Sequence, residues 1–170
     1  MAIIKSVRGF TPLFGKNCFL AENSVIVGEV IMGDNCTVWF NAVVRGDVHS
    51  ITIGDNTNIQ DGAIIHCTYQ KAKTVIGNNV SIAHNAVVHG CTIEDDVLIG
   101  MGAIVMDEAI IGSGSVIAAG AVVLPGTRVE AGSIYGGTPA KRLKDIGPEM
   151  KEVIARTARN YPLYATWYEG

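Results

Sequence analysis

Aliphatic residues recur every six positions along most of this chain, and that period restricts the fold more than any other feature of the sequence. The cleanest run is Ile93, Ile99, Val105, Ile111, Ile117, Val123 and Val129. Four positions after each comes a small or β-branched residue: Val97, Ala103, Ala109, Ser115, Ala121, Thr127 and Ser133. A helical period of 3.6 or a simple alternation does not produce a strict six. A solenoid does, because each hexad is one short strand plus one corner and three hexads close a triangular coil. The frame continues upstream in three blocks: Leu20, Ile26, Met32, Val38, Val44; then Ile53, Ile59, Ile65; then Ile76, Ile82, Val88. Together these make about eighteen hexads, or roughly six coils. Extra residues between Val44 and Ile53, and between Ile65 and Ile76, are expected to bulge from corners as loops, and one residue is missing before Ile93. The fold class read from the period is an all-β solenoid, a parallel β-helix.

The repeats are clearest over residues 20–134, and the β-helix domain is assigned to 1–140. The pattern gives out at Ile134-Tyr135-Gly136-Gly137-Thr138-Pro139-Ala140-Lys141. Residues 141–170 are expected to form a helical segment packed on the β-helix. Pro148 suits the first turn of a helix. Met150, Val153, Ile154, Thr157, Ala158 and Tyr161 follow at helical spacing. Pro162 is expected to kink or end that helix, leaving Tyr164, Trp167 and Tyr168 in a final turn or short helix.

Composition agrees with this reading. Twenty glycines with 6% aromatics suit many tight corners and uniform small side chains, and 48% hydrophobic against 17% charged residues argues against disorder. A net charge of -3 leaves no basic footprint for nucleic acid. No run of roughly 18 apolar residues suggests a membrane span, and the N-terminus lacks a signal-peptide apolar core. Cys18, Cys36, Cys67 and Cys91 form no Cys-x-x-Cys pair, so a reducing, cytoplasmic location is expected.

The repeat also serves as a coordinate system. Hexads three apart stack in one column, with rungs about 4.8 Å apart. Val44, Ile65 and Val88 share such a column, so the residues after them, Arg45, His66 and His89, stack in a line pointing outward. Two imidazoles one rung apart can reach a single ion at about 2.0–2.1 Å. His84 is the third residue of the Ile82 hexad on a neighbouring face, directly above Asp61 of the Ile59 hexad, with Gln60 beside Asp61. His66 and His89 therefore cannot easily share an ion with their own His84. They can share it with the His84 of an adjacent subunit, and a threefold homotrimer makes three equivalent sites. A lone outward His is ordinarily a surface residue or a single base; three close together in sequence, two of them in register, fit a metal site better. His49 is expected in a loop near Arg45. Arg45 and Asp47 could form only an exposed corner ion pair, or, beside a metal face, Arg45 could pair with Asp61 or Asp47 and orient an anion. Cys67 neighbours His66, but adjacent strand residues face opposite ways, so it is expected buried and inert.

At these residues the sequence resembles the γ-class carbonic anhydrases within the hexapeptide-repeat proteins. The elements that carry the resemblance are Asn41-Ala42-Val43-Val44-Arg45-Gly46-Asp47, Asn58-Ile59-Gln60-Asp61-Gly62, His66, and His84-Asn85-Ala86-Val87-Val88-His89-Gly90. The resemblance spans nearly the whole chain. It implies a left-handed β-helix, a homotrimer, and Zn2+ (or Fe2+ or Co2+) held by His66 and His89 of one subunit and His84 of the next. The implied reaction is reversible hydration of carbon dioxide to bicarbonate by a metal-bound hydroxide at the trimer interface. Gln60 would orient the hydroxide, Arg45 would hold bicarbonate steered by Asp47 and Asp61, and a C-terminal tyrosine, Tyr161 ahead of Tyr164, would approach the site. Tyr161 serves equally well as a helix-packing residue. The family's long acidic loop between the first two histidines is replaced here by Thr68-Tyr69-Gln70-Lys71-Ala72-Lys73-Thr74, which has no carboxylate. Proton export would then pass to buffer or water.

Two other function classes fit parts of the sequence. One is a hexapeptide acyltransferase or a metal-dependent thioester hydrolase acting on coenzyme A derivatives. The Gly136-Gly137-Thr138-Pro139-Ala140 segment resembles a corner that lies near the coenzyme in acyltransferases. The other is a metal-binding scaffold subunit without turnover.

Overall fold

The period of six becomes a parallel β-solenoid in the computed structural model, which describes residues 1–168. All the hexad aliphatics from Ile26 to Val129 are buried, most of them completely, and Leu20 at the first rung is half-buried. They fill a single stacked core, with the intervening residues turned outward by strand alternation. Strands of two or three residues pair with those one coil away. One column runs Ile3, Val25, Val43, Ile64, Val87, Ile104, Val122. That column has seven rungs, one more than the roughly six coils counted from sequence. The additional rung comes from Ile3–Lys5 and Leu13–Phe14, which pair with the strand Val25–Met32. Phe14 lies six residues before Leu20, but ten residues separate it from Ile4, and this spacing breaks the six-residue frame there. A 12-stranded sheet covers two faces and an 8-stranded sheet covers the third.

Local expectations change at the first of the two insertions. The residues between Val44 and Ile53 form no separate loop: Val43–Ile53 is one continuous strand, paired with Val25–Met32 at Val43 to Gly46 and at Ile51 to Ile53, with residues 47–50 outside the register. His49 therefore lies in a strand, its Nδ1 accepting from the Ser50 amide at 2.8 Å. Gly28 and Gly46 allow the chain to cross the corner extended. Gly28 has φ +77, and a Cβ there would collide with the Gly46 carbonyl oxygen. A bulge just beyond Gly28 absorbs the extra residues. The second insertion does form a turn, closed by paired backbone contacts between Thr68 and Ala72.

The helix Pro148–Thr166 begins at the expected proline but runs through Pro162. The lost backbone hydrogen bond is tolerated because aromatic packing holds this end of the helix: Tyr161 meets Trp39 edge-on at 5.4 Å, and Tyr168 packs on Phe19, Trp39 and Phe40. Ile154, Ala158 and Ala165 are the buried stripe. Residues 141–145 do not join the helical segment; Lys141–Asp145 adds an antiparallel strand to Ser133–Gly136. Among the described residues no helix is long and apolar enough to cross a membrane.

Corners repeat one device. Asn35, Asn56, Asn79 and Asp96 all have positive φ, and their side chains form a ladder of hydrogen bonds of 3.1–3.2 Å up one edge. Asn and Asp tolerate the left-handed region better than other side chains. Gly28→Ala is expected to cost about 1–3 kcal/mol through forced strain. Gly102→Asn, where φ is +65 and a Cβ meets open space, is expected to be close to neutral. Urea unfolding at fixed protein concentration measures both.

Candidate metal centre

His66 and His89 end the strands Ile64–His66 and Val87–His89, and these pair so that His89 lies directly on His66. The residues before them, Ile65 and Val88, are completely buried, so alternation turns both imidazoles outward. Val44 pairs with Ile65 in the coil below, which places Arg45 in the same line. The column of Arg45, His66 and His89 thus stands as counted from the repeat.

The rings are held from outside. His66 Nε2 lies 3.0 Å from Asp47 Oδ1, and His89 Nδ1 lies 2.5 Å from Asp107 Oδ1. The inner nitrogens, His66 Nδ1 and His89 Nε2, face each other at 3.0 Å. A ring nitrogen that donates to a carboxylate carries the proton, so in the neutral ring the other nitrogen presents a lone pair. Two such lone pairs at this distance repel unless a proton or a cation is shared between them. Histidine with its outer nitrogen fixed by a carboxylate is the usual form in which proteins present imidazole to a metal, and the donor set fits one. Burial pushes His66 below its ordinary pKa, with the Asp47 hydrogen bond partly offsetting it, which favours the neutral, ligating ring. Burial alone would raise Asp47, but hydrogen bonds from Arg45 and His66 outweigh it and hold this carboxyl below its usual range.

Arg45 takes Asp47 as its partner, Nη1 to Oδ2 at 2.6 Å. Asp61 is committed elsewhere. Ile82 pairs with Ile59, and this register sets His84 over Asp61, with Nδ1 2.9 Å from Oδ2. The turn that carries His84 is fixed by Asn85, whose φ is 58 and whose amide donates to the Asp61 carbonyl at 2.9 Å. Among the described residues His84 Nε2 has no hydrogen-bond partner. Among the described residues, no three His, Cys, Asp or Glu side chains of one chain converge to hold a metal. His84 lies on the neighbouring face, away from the His66–His89 pair.

Gln60 is 4% exposed and donates through Nε2 to Asn58 Oδ1 at 2.9 Å. Gln60, His84 and Tyr161 line one cleft of about 490 Å³ between the helix and the 8-stranded sheet. Burial, followed by the charge of Asp61, pushes the Tyr161 hydroxyl up to about 12. Tyr164 meets Tyr161 edge-on at 5.6 Å, and its hydroxyl accepts from Asn160 Nδ2. Cys67 is buried, and burial raises its thiol pKa.

Asp107 was missed in reading the sequence. One more step up the column would have found it: Val105 pairs with Val88, which puts Met106 over His89 and Asp107 over Gly90.

Residues 12–46, 73–105 and 90–125 match the family described as bacterial transferase hexapeptide (six repeats). The chain is 38% identical over 156 residues to γ carbonic anhydrase 2, mitochondrial, of Arabidopsis thaliana, covering 89% of this chain and 56% of the plant protein. The chain thus spans little more than half the length of that relative. It is 36% identical to a carbonic anhydrase of Geobacillus kaustophilus, covering 99% and 92% of the two chains. The crystal structure of a hexapeptide transferase family protein from Anaplasma phagocytophilum superposes with a TM-score of 0.93 at 36% identity, covering 98% of each chain. The chain belongs to the hexapeptide-repeat family, and within it to the γ carbonic anhydrase-like proteins.

Proposed function

We propose that this protein is a metal-dependent carbonic anhydrase acting as a homotrimer, with each metal held by His66 and His89 of one subunit and His84 of the next. The observation that carries this reading is the pair of inward nitrogens 3.0 Å apart, with all three imidazoles backed by carboxylates: Asp47, Asp107 and Asp61. The column beside the pair supports the trimer. It is apolar at every rung from Ile3 to Val122, and Ile3, Ile64 and Ile104 are 56%, 44% and 37% exposed. A neighbour's corner bearing His84 and the exposed Met101 would cover it.

When bound, the ion supplies a Lewis-acidic centre that makes water nucleophilic near neutral pH. The chain's own residues then hold and orient. Gln60, anchored through Nε2, keeps its carbonyl oxygen free to accept from water. Arg45, fixed by Asp47, presents cationic N–H donors to bicarbonate. Tyr161 remains a neutral hydroxyl that can donate or accept. The turn Thr68–Thr74 has no carboxylate to accept the proton, so buffer removes it. Zn2+, Fe2+ and Co2+ all suit imidazole ligands.

The cleft favours a second reading, hydrolysis of a thioester or other acyl ester at the same histidines. Its apolar wall of Leu98, Met101, Val116 and Ile134 is far larger than carbon dioxide needs. Chain-length dependence of acyl-ester hydrolysis by the metal-loaded protein, run beside stopped-flow carbon dioxide hydration, separates the two. Rates that rise with acyl length while hydration is absent favour the second; metal without either activity leaves a scaffold subunit.

Sharing of ligands between subunits has its own test. His84→Ala and His66→Ala are each expected to abolish activity. In trimers assembled from equal amounts of both, every mixed trimer keeps one intact site of three, so about a quarter of wild-type activity should return. No recovery in verified mixed trimers would sink the shared site.

Tyr161 predicts a pH effect. Its folded pKa is raised, so the unfolded chain gives up this proton first as pH rises. The stability it contributes is present below about 10 and is lost as pH climbs toward about 12. Tyr161→Phe should lose less stability across that window than the wild type, as measured by urea midpoints.

A further inference from the structure

The short turn between His66 and Thr74 is more than a spacer. Thr68 opens it, and the turn is closed by Thr68 N–H donating to the Ala72 carbonyl at 3.0 Å and Ala72 N–H donating back at 3.2 Å. Ala72 is buried, which anchors the turn against the coil. From there the Thr68 hydroxyl donates to Asp107 Oδ2 at 2.5 Å, while Asp107 Oδ1 accepts from His89 Nδ1, also at 2.5 Å. The three residues come from three levels of the solenoid, and Gly90 makes their meeting possible. A Cβ on Gly90 would collide with the Asp107 carboxylate and lie 2.8 Å from the Ala72 Cβ.

We propose that Asp107, braced by Thr68, is a positioning residue that fixes the ring plane and tautomer of His89, and that the Thr68–Ala72 turn exists in this chain to hold that brace. Asp107 touches no substrate; it acts through His89. An ionised carboxylate can only accept, so it keeps the proton on Nδ1 and the lone pair on Nε2, facing His66. The Thr68 hydroxyl occupies the second carboxylate oxygen and prevents the group from rotating away. His66 has the same kind of support in Asp47, but Asp47 also serves Arg45. Among the described residues no Lys or Arg lies within salt-bridge distance of Asp107, and its two oxygens go to Thr68 and His89.

The inference rests on the metal reading of the His66–His89 pair, and Co2+ alone is the probe. Its affinity for the full-length protein is measured by chelator competition and by the visible spectrum, beside the melting temperature of the metal-free protein. Asp107→Asn preserves shape but offers an amide that can donate to His89 Nδ1, which pushes the ring to the wrong tautomer. It should weaken Co2+ binding about 10–100-fold and alter the spectrum, with the metal-free melting temperature unchanged. Thr68→Val should weaken binding less, and Thr68→Ser, which restores the hydroxyl, should bind as wild type. Equal affinity in wild type and Asp107→Asn overturns this inference and leaves the metal reading standing. So does a loss in Thr68→Ser as large as in Thr68→Val. No Co2+ binding by the wild type overturns both.

Discussion

Backbone hydrogen bonds between successive coils hold every other feature in place. Each short strand contributes only two or three residues to a ladder, too few to be stable alone, so each coil depends on the ones above and below. The cost of a misplaced residue is correspondingly large, because a slip of one turns a buried aliphatic out and an outward side chain in. The same stiffness places His89 on His66 and His84 over Asp61 with no dedicated scaffold around the site. The chemistry is borrowed from the register of the core.

On that frame the site is assembled from carboxylate–imidazole pairs. The three histidines each have one nitrogen occupied by Asp47, Asp107 or Asp61, and the carboxylates are themselves held: Asp47 by Arg45, Asp107 by Thr68. For an imidazole to ligate, it must be neutral and pointed correctly. Burial handles the first condition at His66, and the carboxylates handle the second. The arrangement is incomplete within one chain because the solenoid's faces diverge at the corner after His84. In the proposed trimer, association supplies the missing ligand, so function and oligomer formation are linked by geometry.

How much was legible in the sequence follows from what has a period. The core, the column of Arg45, His66 and His89, and the separate position of His84 all follow from counting by six, and counting is insensitive to side-chain detail. What did not follow was decided by local exceptions. Val43–Ile53 stayed extended because Gly28 and Gly46 let two backbones approach at a corner, and this depends on two glycines meeting across coils. Pro162 stayed inside a helix because aromatic rings from the first coils packed against that end, a tertiary effect that overrode a local rule. Asp107 is readable by the same column count, one coil above His89. The corner ladder from Asn35 to Asp96 carried a signal too, since those positions recur with the frame; its role as a stack of left-handed residues needs the backbone angles.

The step from metal centre to reaction depends on features that the solenoid does not dictate. The turn Thr68–Thr74 has no acidic residue to carry a proton away, and its first residue is engaged in bracing Asp107. A turn rigid enough to hold a carboxylate in place is poorly suited to swing a proton carrier in and out, so in the proposed site the turn would fix a ligand and leave proton removal to buffer. The cleft beside His84 points the same way. Small residues at Ala83, Gly100, Ala118 and Ala119 leave room along the sheet under the helix, more than the three-atom substrate of the proposed reaction would fill. Rigid ligands, external proton removal and a wide apolar approach suit a site whose first requirement is a durable metal, with the choice of electrophile set by what the cleft admits.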